Sequence, residues 1–279
     1  MLLISGTLFN PPSGWMTGDV EQQILERLKD DPARHAYDSP EQLRFDILFR
    51  KHVVEAARAL YQSGASFEVF AGTHANPAYW TVTNAGGLRL GYGVTPAWAL
   101  EDIYKNGESY GFECATAVII VFYYAALRTI GRHAFNQLFP NLYLYSWHID
   151  EDLGLTSVRS TYLIPGDVVY FNNPDFDTDS PQWRGENAVL LMDDLFFGHG
   201  IGITGAEEII RVLNELRQPG SQQSAYRTNV VTRADSRQLY QRSQHLRTQG
   251  SWLQKYTSPV TQHNETSISH KRYQYYSSQ

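Results

Sequence analysis

A single cysteine, Cys114, stands in 279 residues. That excludes an intramolecular disulfide and any zinc site built on several thiolates. No basic run or face is visible and the formal charge is −6, so nucleic acid is not an expected partner. No stretch approaches the roughly 20 apolar residues needed to cross a bilayer. The longest apolar run, Ala115 to Leu127, has the length of a buried helix, and no membrane partner is expected. The start Met1-Leu2-Leu3-Ile4 is too short an apolar run for a signal peptide and lacks a basic leader. The expectation is a protein kept in the cytosol or leaving it by a route other than secretion. The nine histidines show no paired ligand spacing, so no metal site is expected.

What remains is an ordinary globular composition, 42% hydrophobic and 19% charged, which argues against wholesale disorder. The first 40 residues are loop-rich, with a short helix over Glu21–Leu28. From Pro40 to Gln62 the residues Leu43, Ile47, Val54, Ala57 and Tyr61 fall on one stripe, and Gly64 follows as a stop; the spacing predicts an amphipathic helix. A hairpin is predicted around Gly86-Gly87 and a helix from Pro96 to about Asn106. The apolar segment from Cys114 to Ile130, closed by Gly131, reads as a central buried helix. Strands are predicted over Leu142–Trp147, Thr161–Phe171, Asn187–Met192 and Leu195–Ile203, with Met192-Asp193-Asp194-Leu195 as a tight link. A helix follows at about 205–217. The order gives an α+β fold, a buried helix led by Cys114 packed on an antiparallel sheet. Residues 1–242 read as one catalytic domain, and 243–279, rich in Ser, Gln, Thr and Tyr, as a disordered tail.

Cys114 is the residue to explain. It follows Gly111-Phe112-Glu113 and opens a helix, where unpaired amides and the positive end of the dipole favour an anion and lower a thiol pKa. His199 lies between glycines in a predicted strand further on, and a helix-leading Cys facing a strand-borne His is a papain-type arrangement.

Four segments together make a resemblance specific: Phe112-Glu113-Cys114-Ala115-Thr116-Ala117, Trp183-Arg184-Gly185-Glu186-Asn187, Phe197-Gly198-His199-Gly200-Ile201-Gly202-Ile203 and Gln223-Ser224-Ala225-Tyr226. In colinear order they resemble the spore-coat protein-glutamine gamma-glutamyltransferases of Bacillus-type bacteria, from Ile4-Ser5-Gly6 to about residue 242. The resemblance implies a papain-like core, independence of calcium and of any cofactor, and kinship with compact cell-wall amidases. It puts the nucleophile on Cys114, the principal acidic partner on Glu186, a second, partly redundant acid on Glu113, and a nearby histidine on His199. It also implies glutamine- and lysine-bearing spore-coat proteins as partners, a monomer, and residence in the mother-cell cytoplasm and spore coat. Residues 243–279 extend beyond the family pattern.

The reaction so implied is acyl transfer through a Cys114 thioester to a lysine amine. If Glu113 and Glu186 both lie about 5 Å from the sulfur, each ionised carboxylate opposes a thiolate by ~3 kcal/mol, more than a helix terminus returns. The expectation is a neutral resting thiol whose proton is taken during attack by a glutamate, Glu186 preferred, with His199 orienting groups. Trp147 and Trp183 are the candidate aromatic walls against water. Two rivals stay open: a cysteine amidase or peptidase on the same fold, and a structural coat protein with an inert Cys.

Asp175, Asp177, Asp179 and Glu186 match positions of a calcium loop, but Ser180 and Pro181 and a preceding strand argue against one. The tail carries several glutamines together with Lys255 and Lys271, the make-up of a self-cross-linking substrate or an anchoring arm.

Overall fold

Ile24, Leu25 and Leu28 form the buried face of helix α1, which spans Asp19–Asp30 and so outruns the Glu21–Leu28 segment expected. α2 spans Pro40–Gln62. The Ser39 hydroxyl accepts the Gln42 amide at 3.2 Å, and Pro40 sits in the first turn, where no N–H is required. Leu43, Ile47, Val54 and Ala57 are buried as their spacing demands, whereas Tyr61, at the end of the stripe, is exposed. α3 spans Pro96–Lys105 and α4 spans Cys114–Ile130. Gly131, at φ 82°, ends α4, and α5 follows at once over Arg132–Leu138. α6 spans Ala206–Glu215 and α7 spans Ser236–Gln249.

This computed structural model describes residues 1–249 and the pair Val260–Thr261. Helix α7 runs across the expected boundary at 242 and ends at Gln249. Leu239, Ser243 and Leu246 recur at helical spacing, with Leu239 and Ser243 buried and Leu246 packed on the core. Gln, Ser and Arg fill the other positions and hid that period. Val260–Thr261 pairs antiparallel with His148–Ile149; the rest of the expected tail lies outside the described residues.

Six strands form the main sheet: β1 Leu155–Arg159, β2 Val168–Asn172, β3 Gly185–Leu190, β4 Leu195–Gly198, β5 Gly202–Gly205 and β6 Tyr226–Ala234. They run in the order β1-β6-β2-β3-β4-β5, antiparallel throughout. β1 and β6 are additions to the expected set; their alternation is broken by polar and charged residues, although Val230, Val231 and Thr232 supply β-branched side chains in β6. Thr161–Phe171 is not one strand. The chain turns at Ile164–Asp167, with Gly166 at φ 87°, and only β2 pairs. Leu195–Ile203 is a hairpin of β4 and β5, with His199 at its turn rather than in a strand. Asp193 and Asp194, at φ 58° and 53°, join β3 to β4 as a primed turn requires. Leu142–Trp147 forms only the short strand Tyr143–Leu144 before turning at Ser146.

α4 is buried almost all round, packed against α2 and against β3. Along β2 and β3 the side chains alternate. Val168 and Val189 join the core around α4, and Val169, Phe171, Ala188 and Leu190 join a second core beneath α6. A buried ion network pins the 164–167 turn to α2. Asp167 accepts from Arg50 Nη1 at 2.9 Å, Arg233 Nε at 3.0 Å and the Ile164 amide at 2.9 Å.

Candidate active site

The short strand Ser66–Phe67 pairs in parallel with Gly111–Phe112 and fixes the chain just ahead of Cys114. Glu113 then caps α4, an unusual residue for a place that Ser, Thr, Asp or Asn generally fills. Its Oε2 accepts the Ala115 amide at 2.9 Å, and its Oε1 accepts the Cys114 thiol at 3.0 Å. The first-turn amides expected to stabilise a thiolate are therefore spent on a carboxylate.

Burial pushes the Cys114 thiol well above its ordinary value, and the charges of Glu113 and Glu186 add to the effect. The geometry suits a neutral thiol that donates its proton to Glu113. Glu113, the second acid in the sequence reading, is the carboxylate in direct contact with sulfur.

Glu186 and Asn187 are neighbours on β3 and point to opposite faces. Asn187 faces α4 and directs Nδ2 at Cys114 Sγ, 3.4 Å away. Sequence reasoning missed it; the signal was its place one residue after Glu186 in a strand facing the helix. Glu186 sits at the other face, where the turn after β4 surrounds it. The Gly200 amide reaches its Oε1 at 3.5 Å and the His199 amide also favours its charged form. A Cβ at Gly198 would stand 2.8 Å from Glu186 Cγ, and one at Gly200 would stand 3.3 Å from its Oε2. Both glycines make room for the carboxyl.

Burial raises Glu113 to about 7, against opposing hydrogen bonds from Cys114, Ala115 and Thr116. Burial and then the charge of Glu113 raise Glu186 to about 8. The two titrate as a coupled pair, in which Glu113 is the first to ionise.

His199 does not contact the sulfur through its ring. Nε2–H donates to the Ser66 carbonyl at 3.0 Å and the ring stacks on Phe112 at 4.9 Å. Burial lowers it to about 4, so it is neutral at physiological pH. The ring bond thus ties the turn beside Glu186 to the strand at Ser66.

Trp183 lies over Gly200, with Cη2 3.1 Å from the position of a Cβ there, and packs on Phe67 at 5.3 Å. Trp147 is buried after Ser146, whose amide donates to Thr116 Oγ1 at 2.9 Å near the start of α4. The acidic loop is engaged in turn contacts: Asp175 accepts from Ser221 and the Gln223 amide, and Asp177 from the Asp179 amide.

A family model described as protein-glutamine gamma-glutamyltransferase matches residues 1–243. A protein-glutamine gamma-glutamyltransferase of Halalkalibacterium halodurans is 44% identical over 276 residues, covering 99% of this chain and 96% of its own length. The segment beyond 242 therefore has a counterpart in that relative. The corresponding Bacillus subtilis protein is 39% identical over 242 residues, 86% of this chain and 98% of its own. A solved structure, a transglutaminase from Geobacillus stearothermophilus without its C-terminal extension, superposes with a TM-score of 0.70. It is 43% identical and covers 74% of this chain and 97% of that one.

Proposed function

Since the chain belongs to the Bacillus-type protein-glutamine gamma-glutamyltransferases and is an acyltransferase, we propose that it forms ε-(γ-glutamyl)lysine isopeptide bonds between spore-coat proteins through a thioester on Cys114. The observation that carries this reading is the buried thiol of Cys114, 3.0 Å from Glu113 Oε1 at the head of α4.

Sγ attacks the γ-carboxamide of a glutamine as its proton passes to Glu113. Collapse of the tetrahedral intermediate expels ammonia, to which Glu113 returns the proton. A neutral lysine amine then attacks the thioester and gives a proton to the Glu113 carboxylate, which passes it to the departing sulfur and so restores the thiol. Glu186, the second buried carboxyl, holds the proton that the pair shares near neutral pH and takes over as acceptor when Glu113 is removed. Burial of the sulfur, with Cys114 only 4% exposed, and the Phe67–Trp183 wall disfavour water as the acyl acceptor. The helix-led cysteine packed on an antiparallel sheet supports reading the catalytic core as papain-like. Spore-coat substrates, a monomer and residence in the mother cell and spore coat follow from the family resemblance.

The test is incorporation of a fluorescent primary amine into a glutamine-rich protein with a chelator present. Incorporation by wild type and none by Cys114→Ala is the expected result. Ammonia release unchanged by added amine would instead make the protein a hydrolase.

A further inference from the structure

Acyl transfer at a carboxamide puts negative charge on the former carbonyl oxygen, and that oxygen needs hydrogen-bond donors fixed in advance. A helix-led thiol ordinarily finds them in the amides of the first turn. Here the Ala115 amide is bound to Glu113 Oε2, the Thr116 amide also favours that carboxylate, and Asn187 Nδ2 is directed at the sulfur. Beyond the Cys114 amide itself, a further donor can come from the facing sheet.

Tyr170 on β2 is the register partner of Asn187 on β3 and shares its face toward α4. Its side chain is fully buried, and its hydroxyl lies against Gly185, where a Cβ would come within 2.3 Å of the oxygen. That hydroxyl has no hydrogen-bond partner among the described residues. It nevertheless lies within electrostatic reach of Cys114, Glu113 and Glu186. An unpaired buried hydroxyl is unfavourable, and phenylalanine would fill the same space without that cost. Such a group beside a nucleophile is a donor held for something that arrives with the substrate.

Building on the thioester reading, we infer that the Tyr170 hydroxyl is a catalytic hydrogen-bond donor to the oxyanion of the tetrahedral intermediates in both half-reactions. As the Sγ–C bond forms, the carbonyl π pair moves onto oxygen and is met by Tyr170 Oη–H. As the C–N bond breaks, the pair returns and the hydroxyl is released. Attack by the lysine amine rebuilds the same oxyanion. Tyr170 keeps its proton throughout, since burial raises its pKa well above the ordinary phenol value. Trp147 Nε1 is another buried donor near the start of α4 without a partner among the described residues, and it is the natural comparator.

The experiment compares two reactions of Cys114 in wild type, Tyr170→Phe and Trp147→Phe. One is ammonia release from a glutamine peptide, which passes through an oxyanion. The other is alkylation by iodoacetamide, a displacement at saturated carbon that does not. Tyr170→Phe is expected to lower kcat for ammonia release by roughly 10²–10³ with KM little changed, and to leave alkylation at the wild-type rate. Equal loss in both reactions, or a collapse of Tm, would make Tyr170 structural and overturn the inference. Wild-type ammonia release, or a selective loss confined to Trp147→Phe, would overturn it too. Failure of wild type itself to release ammonia would instead remove the thioester reading beneath it.

Discussion

Glu113 and Cys114, adjacent in the chain, are joined by a 3.0 Å hydrogen bond from Sγ to Oε1, while Glu113 Oε2 holds the Ala115 amide at 2.9 Å. One carboxylate therefore caps the central helix and receives the proton of the residue that opens it. A cap needs the charged form and a buried acid resists it, so burial and capping oppose each other at this side chain. The outcome is a carboxyl raised to about 7, close to the pH at which a general base works best.

Glu113→Gln and Glu186→Gln should each lower kcat/KM for amine incorporation, by roughly 10²-fold or less, because the remaining carboxyl can accept the thiol proton. The double variant should fall to the level of Cys114→Ala. In wild type the acid limb of kcat/KM for ammonia release should lie near pH 7, where Glu113 ionises. In Glu113→Gln the limb belongs to Glu186, and losing the neighbouring charge should bring it below the about 8 that Glu186 has in wild type. A limb at about 8 in Glu113→Gln would contradict the coupling.

Glu186→Gln should be more stable than wild type in alkaline solution. A carboxyl raised from 4.5 to about 8 binds its proton more tightly folded than unfolded, so its contribution to stability falls as pH rises between those values. At pH 4 both states are protonated and the two proteins should melt together. At pH 9 the variant avoids burying a charge, a difference of roughly 2–5 kcal/mol by linkage. Thermal melts at the two pH values check this; a variant less stable at pH 9 would show the charge to be better solvated than its burial implies.

The buried helix, its cysteine and the glutamates were legible because each is marked locally. Gly131 stops an apolar run, Gly111 precedes it, and the motifs around Cys114 and Glu186 stand in short contiguous segments. The placement of Asn187 and Tyr170 was not, since it lies in a strand register that brings residues 17 positions apart face to face. For a similar reason His199 falls at a hairpin turn and not in the strand expected. The flanking glycines Gly198 and Gly200 make space for the Glu186 carboxyl, a use that only the folded turn reveals. β6 and α7 were missed because charged and amide side chains cover elements whose inward residues are few: Val231 in the strand, Leu239 and Ser243 in the helix.

Gly198→Ala tests that use of space. Its methyl would stand 2.8 Å from Glu186 Cγ and 3.0 Å from Oε1, and neither β3 nor β4 has slack where they pair. Glu186 must then turn away from the Gly200 amide. Activity should drop about as far as in Glu186→Gln, with a destabilisation of ~1–3 kcal/mol from overpacking. Unchanged kinetics would show that the position of Glu186 does not matter to catalysis.

The final prediction concerns stability apart from chemistry. Asp167 is fully buried between Arg50 and Arg233 and also receives the Ile164 amide. Asp167→Asn keeps the shape but leaves two guanidinium groups without that charge, Arg50 buried among them. Asp46, 3.4 Å from Arg50 Nε, compensates only in part, because it already accepts from Tyr37 and Ser236. Breaking a buried pair in this way costs about 3–5 kcal/mol. Arg211→Ala removes a more visible pair with Glu208 on α6, but with side chains 56% and 45% exposed solvent screens it and its loss should barely move stability. Denaturant melts of the two variants should separate them by that margin, while ammonia release per folded molecule stays near wild type in both. A mild Asp167→Asn would mean that the turn at 164–167 holds without its ion network, and that α2 and the sheet are joined by apolar packing alone.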